Sequence, residues 1–288
     1  MPSYSQELTF ATTLAHHAAS LVLRQYGHVE RLSKTHAAAH HEAVTQADRD
    51  VQALIVSAIQ KSFPNDGIVG EEDDTGAGIT VRVPDAAGRV WVIDPIDGTN
   101  NFIGGFGNFA VCIGLLDKGM PVMGVVHDVT RGVTYRAAQG QGMHIDSPLP
   151  STTPTRQTRC LGTPLQDSSI LMLTSNLLRP DGSLPPFASR WLTQTNWKIR
   201  VIGSAALEAA YVAAGVAHGA ITLNGKLWDV AAPAALVLEA GGQVLSLQPG
   251  TSNEPVFPFN LQNYTGAKVP FLASAPNASQ ALLAEIRN

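Results

Sequence analysis

Val90-Trp91-Val92-Ile93-Asp94-Pro95-Ile96-Asp97-Gly98-Thr99-Asn100-Asn101-Phe102 opens with four apolar residues and continues with two carboxylates three positions apart. A short apolar run of this kind predicts a buried strand, here ending at Asp94-Pro95. Such a strand delivers its last side chains to the sheet end where ligands of α/β proteins bind. Gly98 lets the backbone approach a ligand closely. The N–H groups of the turn at Gly98 and Thr99 suit a phosphate. Hard carboxylate oxygens beside a phosphate-shaped niche imply Mg²⁺, which takes few carboxylates and shares phosphate oxygens. Taken alone, Asp-Pro and Asp-Gly also mark ordinary turns.

Two further acidic clusters flank this segment at a distance: Gly70-Glu71-Glu72-Asp73-Asp74 upstream and Trp228-Asp229 downstream. Each has a structural alternative. An acidic run is usually solvated surface, the reading adopted for Glu72, Asp73 and Asp74. An Asp at a helix start is ordinary capping. Trp91 and Trp228 are expected to pack, and Cys112 to sit in the core.

Upstream, Leu8, Ala11, Leu14, Ala15, Ala18 and Val22 recur at helical spacing, and Gly27 stops the helix. The polar stretch 33–42, with His36, His40 and His41, reads as an exposed loop. A second helix starts near Thr45, where Thr45 and Asp48 have capping-pair spacing. It presents Val51, Leu54, Ile55, Ala58 and Ile59 and ends before Pro64. Downstream, strands at 109–116, 122–126 and 132–138 form a meander with a turn at Asp117-Lys118-Gly119. The Ser-, Thr-, Pro- and Arg-rich stretch 147–164 reads as a linker or surface excursion. The expected division is therefore an α+β unit, 1–150, and an α/β unit, 151–288, that contributes Asp229. In the second unit strands are expected at 170–174, 198–202, 220–223 and 243–247. Helices are expected at 204–214 (capped by Ser204), 229–240 (with Asp229 as N-cap) and 279–287.

The 288 residues carry 23 acidic and 19 basic groups, and 44% are hydrophobic. That hydrophobicity excludes a disordered chain, and the absence of a basic excess argues against nucleic acid as a partner. Two cysteines cannot build a disulfide framework, so a reduced cytoplasm is expected. The N-terminal segment carries Glu7 and no basic region, unlike a signal peptide. The low-charge stretch 201–223 is rich in Ala and Gly and reads as a buried helix and strand rather than a membrane span.

Four segments, in order, carry a resemblance. Val44-Thr45-Gln46-Ala47-Asp48, Gly70-Glu71-Glu72-Asp73, Trp91–Phe102 and Trp228–Gly242 resemble successive signatures of the inositol monophosphatase superfamily. The resemblance implies a layered α-β-α-β-α sandwich and hydrolysis of a small phosphate monoester by metal-activated water. Carried over residue by residue, Glu71, Asp94 and the backbone carbonyl of Ile96 hold a first metal. Asp94, Asp97 and Asp229 hold a second. Glu71 and Thr99 orient the attacking water, and Asp48 pairs with Thr99 and polarises it. Gly98 and Thr99 offer N–H groups to the phosphate beside Asp97 and Asp229. Gly203, Ser204 and Ala205 line the alcohol side. The implied cofactor is Mg²⁺, two or three ions per site, with Mn²⁺ as a substitute, and lithium inhibition follows from the same resemblance. A homodimer is the expected assembly. The chemistry agrees: phosphate monoester hydrolysis requires on the order of 20 kcal/mol or more of barrier lowering, and metal ions supply much of it.

The shared machinery reads the phosphate and leaves the alcohol open. Thr222 stands seven residues before Asp229, where inositol-type enzymes usually carry a glutamate, and Lys226 adds a cation nearby. Phe102-Ile103-Gly104-Gly105 slightly resembles the histidinol-phosphate branch, and Lys34 is the counterpart of a flap lysine. The alternatives on the same machinery are a 3′-phosphoadenosine 5′-phosphate phosphatase and a histidinol-phosphate phosphatase. A regulatory binding protein on a phosphatase fold is the non-enzymatic alternative.

Overall fold

A helix that is apolar on every side has to be covered on every side. Two Ala-rich helices of the C-terminal half meet this need by lying between two sheets. The computed structural model describes residues 3–27, 32–33, 43–44, 46–72, 80–82, 88–148, 155–175, 177–178, 181–250, 253–262 and 264–287. In chain order the elements are α1 (Ser5–Gln25), β1 (Leu32–Ser33), β2 (Ala43–Val44), α2 (Gln46–Ser62), β3 (Gly67–Gly70), β4 (Thr80–Arg82), β5 (Arg89–Asp97) and α3 (Thr99–Ile103). There follow β6 (Ala110–Asp117), β7 (Met120–Asp128), β8 (Val133–Ala138), β9 (Gly142–Asp146), β10 (Thr155–Thr158), β11 (Ile170–Leu173), α4 (Pro186–Thr193) and β12 (Lys198–Arg200). The chain closes with α5 (Ala205–Ala213), β13 (Gly219–Thr222), α6 (Leu227–Glu239), β14 (Gln243–Ser246), β15 (Phe271–Ser274) and α7 (Ser279–Arg287).

The larger sheet has the order β10-β9-β8-β7-β6-β5-β3-β4 and is antiparallel except where β3 lies beside β5. The smaller has the order β12-β11-β13-β15-β14, parallel from β12 to β13 and antiparallel beyond. Alternation along β5 feeds two cores at once. Trp91 and Ile93 pack under α1 and α2 with Leu8, Val51 and Ile55. Val90 and Val92 face α5 and α6, where Leu207, Trp228 and Leu236 continue to Phe271 of the smaller sheet. On the outer side of that sheet Phe187, Trp191 and Leu282 cover Leu171 and Leu272. The result is the expected helix–sheet–helix–sheet–helix sandwich. Its tightest seam lies under α6. Gly114 and Gly124 pair across β6 and β7, and a Cβ on Gly124 would lie 2.1 Å from the carbonyl oxygen of Ala232.

Several expectations need correction. The strand does not stop at Asp94-Pro95 but runs through Asp97. Leu54 is exposed, because the buried stripe of α2 is Asp48, Val51, Gln52, Ile55 and Ile59. The polar stretch after 147 contains β10, which pairs antiparallel with β9 at the edge of the larger sheet; edge strands tolerate polar residues because one side stays in water. Elements β1, β2, β3, β4, α3, α4, β9 and β15 were not anticipated. Thr45 and the loop residues Lys34, His36, His40 and His41 lie outside the described residues, as do Asp73 and Asp74.

One buried histidine links this packing to pH. The Thr134 hydroxyl stands 2.9 Å from His127 Nδ1 and 2.9 Å from His16 Nε2, with the two rings edge to face. Burial, reinforced by His16, pushes His127 down to about 4. Between 6.5 and about 4 the unfolded imidazole is protonated and the folded one is not. Stability contributed here is therefore present above pH 6.5 and lost as pH falls towards 4. The expected loss is on the order of 3 kcal/mol. Urea melts of the wild type and His127→Asn at pH 7.5 and 5 check it: the gap in stability between the two pH values should shrink in the variant, and an unchanged gap sinks the assignment.

Candidate active site

Pro95 has no N–H to donate, and the ladder between β5 and β6 shifts register there: Asp94 pairs with Cys112, and Asp97 pairs with Ala110. Three steps along β5 thus match two along β6, a bulge of one residue. Side chains alternate along a regular strand, so without the bulge Asp94 and Asp97 would point to opposite faces. With it, both point to the face covered by α6, which carries Asp229 in its first turn. The three carboxylates bring oxygens within 4.8 Å of one another. Asp229 is not the N-cap. That position is Lys226, and Asp229 accepts the Lys226 N–H at 2.5 Å from the third position of the helix.

Asp97 is tied to α5 as well. It accepts the N–H groups of Ala205 at 3.2 Å and Ala206 at 3.0 Å, together with the Ser204 hydroxyl. Ser204 is the cap expected at this helix, its oxygen accepting from the N–H of Leu207. A carboxylate at a helix N-terminus is favoured by the helix dipole. Burial nevertheless pushes Asp97 up to about 6 against the pull of those hydrogen bonds. Burial also raises Asp94 well above the carboxylate range, and the charges of Glu71, Asp97, Asp229 and Asp48 add to it.

Glu71 follows β3, the parallel neighbour of β5. Its loop is pinned by Gln52 of α2, whose amide accepts the Glu72 N–H at 2.9 Å and donates to the Glu72 carbonyl. Gly70 must lack a side chain for this, since its Cβ would lie 2.6 Å from Gln52 Oε1. Glu72 is buried, so the solvated-surface reading fails for it. Asp48 is buried on the same stripe as Gln52 and lies 3.4 Å from the Thr99 hydroxyl, which also reaches the Ile96 carbonyl at 2.9 Å. Gly98 opens α3 at φ 91°, and a Cβ there would meet the carbonyl oxygens of Asn108 and Gly203 at 3.0 and 3.1 Å.

Glu71, Asp97, Gly98, Thr99, Gly203, Ser204, Ala205 and Asp229 thus share one cavity of about 540 Å³, with Asp94 buried at its floor. Thr222 and Trp228 line its far wall, where the Thr222 hydroxyl is buried without a hydrogen-bond partner. Lys226 lines it too, with its ammonium donating to the Gly266 carbonyl at 2.6 Å. The site fits a divalent cation on its own terms. One buried Asp94 oxygen has no hydrogen-bond partner, and three mutually repelling carboxylates need a compensating charge. Sequence reasoning missed Gln52 and Glu208. Their signal is present: each is a polar residue in register with the buried apolar positions of its helix.

The family model for the inositol monophosphatase family matches residues 3–288. The fructose-1,6-bisphosphatase/inositol-1-monophosphatase of Thermotoga maritima is 30% identical over 250 residues, 85% of this chain and 87% of that protein. The Nus factor SuhB of Escherichia coli K12 is 30% identical over 98% of this chain and 96% of its own. Among solved structures, the IMPase of Thermotoga maritima superposes with a TM-score of 0.78 at 27% identity, covering 98% of this chain and 97% of its own. The extragenic suppressor protein suhB of Bartonella henselae does so with a TM-score of 0.81 at 25% identity, covering 98% and 99%. No described helix is long and apolar enough to cross a membrane. With its acidic cluster and cavity built on this sandwich, the chain belongs to the inositol monophosphatase family.

Proposed function

We propose that the protein hydrolyses a small phosphate monoester with Mg²⁺ held by Asp94, Asp97, Asp229 and Glu71. The observation that carries this reading is the convergence of three carboxylates on one face, produced by a strand bulge, at the floor of a cavity far larger than a phosphate. A divalent cation there supplies the positive charge that a phosphoryl group and an attacking water both require. The chain's own residues do the rest. Gly98 and Thr99 present turn N–H groups to phosphoryl oxygens, because the first N–H groups of a helix have no intrahelical acceptor. Thr99, held towards Asp48, orients the water together with Glu71. Ser204 and Ala205 act through Asp97, to which they donate, and the Gly203 backbone bounds the alcohol half of the substrate.

Turnover of a generic phosphate ester tests this directly. Activity is expected with Mg²⁺ or Mn²⁺ and absent in excess chelator. Ca²⁺ should bind and inhibit, since it prefers more ligands at longer distances. Full activity in chelator overturns the reading. A second reading, a protein that acts by binding a partner, is favoured by the relatives named Nus factor SuhB. Absence of turnover across inositol 1-phosphate, histidinol phosphate, a bisphosphorylated nucleotide and fructose 1,6-bisphosphate, at full metal occupancy, would favour it.

A further inference from the structure

Glu208 lies in the first turn of α5, wholly buried. One carboxyl oxygen accepts two N–H groups, from Ile202 at 3.1 Å and Gly203 at 3.3 Å. The other is buried with no hydrogen-bond partner. The backbone it holds is a wall of the cavity. That wall is gripped from the opposite side by Asn101, which donates to the Ile202 carbonyl at 2.7 Å and to the Asn108 carbonyl at 2.9 Å. Asn101 also packs against Gly203, where at φ 78° a Cβ would lie 3.0 Å from the Asn101 amide. The N–H groups around the start of α5 are thus divided between two carboxyl groups. Asp97 takes those of Ala205 and Ala206, on the metal side. Glu208 takes those of Ile202 and Gly203, on the alcohol side.

We propose that Glu208 is a positioning residue that fixes the Ile202–Gly203 wall from inside α5 and so sets how tightly the alcohol half of the substrate is held. The inference rests on the phosphomonoesterase reading of the same cavity. A buried anion with one unpartnered oxygen would be costly. Burial, with the charge of Asp97 adding to it, pushes Glu208 up to about 8, so near neutral pH it is mostly the uncharged acid. A neutral acceptor of this length is what the wall requires, and glutamine supplies one.

The test compares Glu208→Gln, Glu208→Met and Glu208→Ala at saturating Mg²⁺ with two phosphate esters, one bulky and one minimal. Glu208→Gln keeps the acceptor and should hold KM within about twofold of wild type. Glu208→Met keeps length and packing but loses the acceptor. It should raise KM for the bulky ester at least tenfold, with kcat within about threefold and Mg²⁺ affinity by calorimetry unchanged. Glu208→Ala should behave likewise if it folds, and Glu208→Met decides if it does not. A wild-type KM in Glu208→Met overturns the proposal, as does an equal rise in Glu208→Gln. Hydrogen exchange separates this from failure of the phosphatase reading. Without any turnover, the Ile202 and Gly203 amides should still be protected in wild type and Glu208→Gln and exchange faster in Glu208→Met. Equal protection in all three overturns the positioning role itself.

Discussion

Asp94→Asn should abolish turnover while making the metal-free protein more stable. Asp94 is buried beside four other carboxylates, Glu71, Asp97, Asp229 and Asp48, and its burial, reinforced by their repulsion, raises its pKa well above the usual carboxylate range. An amide of the same shape is neutral in both the folded and the unfolded chain, so folding without metal no longer has to protonate a carboxylate there. Its N–H₂ group can donate to the neighbouring carboxylate oxygens, so no new buried donor is orphaned. The gain in the absence of metal should be about 1 kcal/mol, or roughly 2–4 °C in melting temperature. The loss appears only when a cation is needed. Several kcal/mol of transition-state stabilisation are at stake, so kcat should fall by about a thousandfold or more. Melting curves with and without Mg²⁺ give the complementary reading: the wild type should gain stability from the ion and the variant little. A variant that melts far below wild type without metal would show Asp94 to be a structural residue, contrary to this account.

The legibility of the chain follows the range of the interactions. Val90–Ile93 is recognisable as a buried strand because a continuous apolar run needs cover on both faces, and both cores are there. The cap at Ser204 and the turn at Lys118-Gly119, both at positive φ, are local chemistry and were readable for that reason. The bulge after Asp94 was not. It depends on register against β6, a neighbour thirteen or more residues away, though Pro95 signals that a ladder bond is missing. Likewise β15 lies between β13 and β14 although it follows both in sequence, and no local pattern encodes that insertion. The four acidic segments were assembled through resemblance, and the fold brings Asp94, Asp97 and Asp229 to one point with Glu71 on the same cavity. Gln52 and Glu208 were overlooked because they act on backbone that reaches the cavity rather than on the cavity itself. Lys226 reads as a cation near Asp229, and it lies on the cavity lining with one ammonium donor given to the Gly266 carbonyl.

The largest loss of structure and activity together is expected from Gly124→Ala. Gly124 and its partner Gly114 form the floor on which α6 rests, and α6 can come so close only because its facing residues are alanines. A methyl group on Gly124 would stand 2.1 Å from the Ala232 carbonyl oxygen and 3.1 Å from the Ala235 side chain. The obstacle is backbone, so no rotamer change relieves it, and the helix must lift by about 1 Å to regain ordinary contact. On its other side α6 is confined by the smaller sheet through Phe271 and Val244. Overpacking of this kind costs about 3 kcal/mol or more. The same displacement carries Asp229 away from Asp94 and Asp97, and an error of about 1 Å in a reacting geometry lowers the rate by about a hundredfold. Gly114→Ala meets backbone at 2.9 Å and should show a milder form of both effects. Gly162→Ala, with nothing within 4 Å of its Cβ, is the control and should match wild type in melting temperature and kcat. The decisive outcome is the coupling: destabilisation and loss of kcat should grow together from Gly162→Ala through Gly114→Ala to Gly124→Ala. A Gly124→Ala protein with wild-type melting and turnover would mean that α6, and with it Asp229, is not seated on the sheet at this spacing.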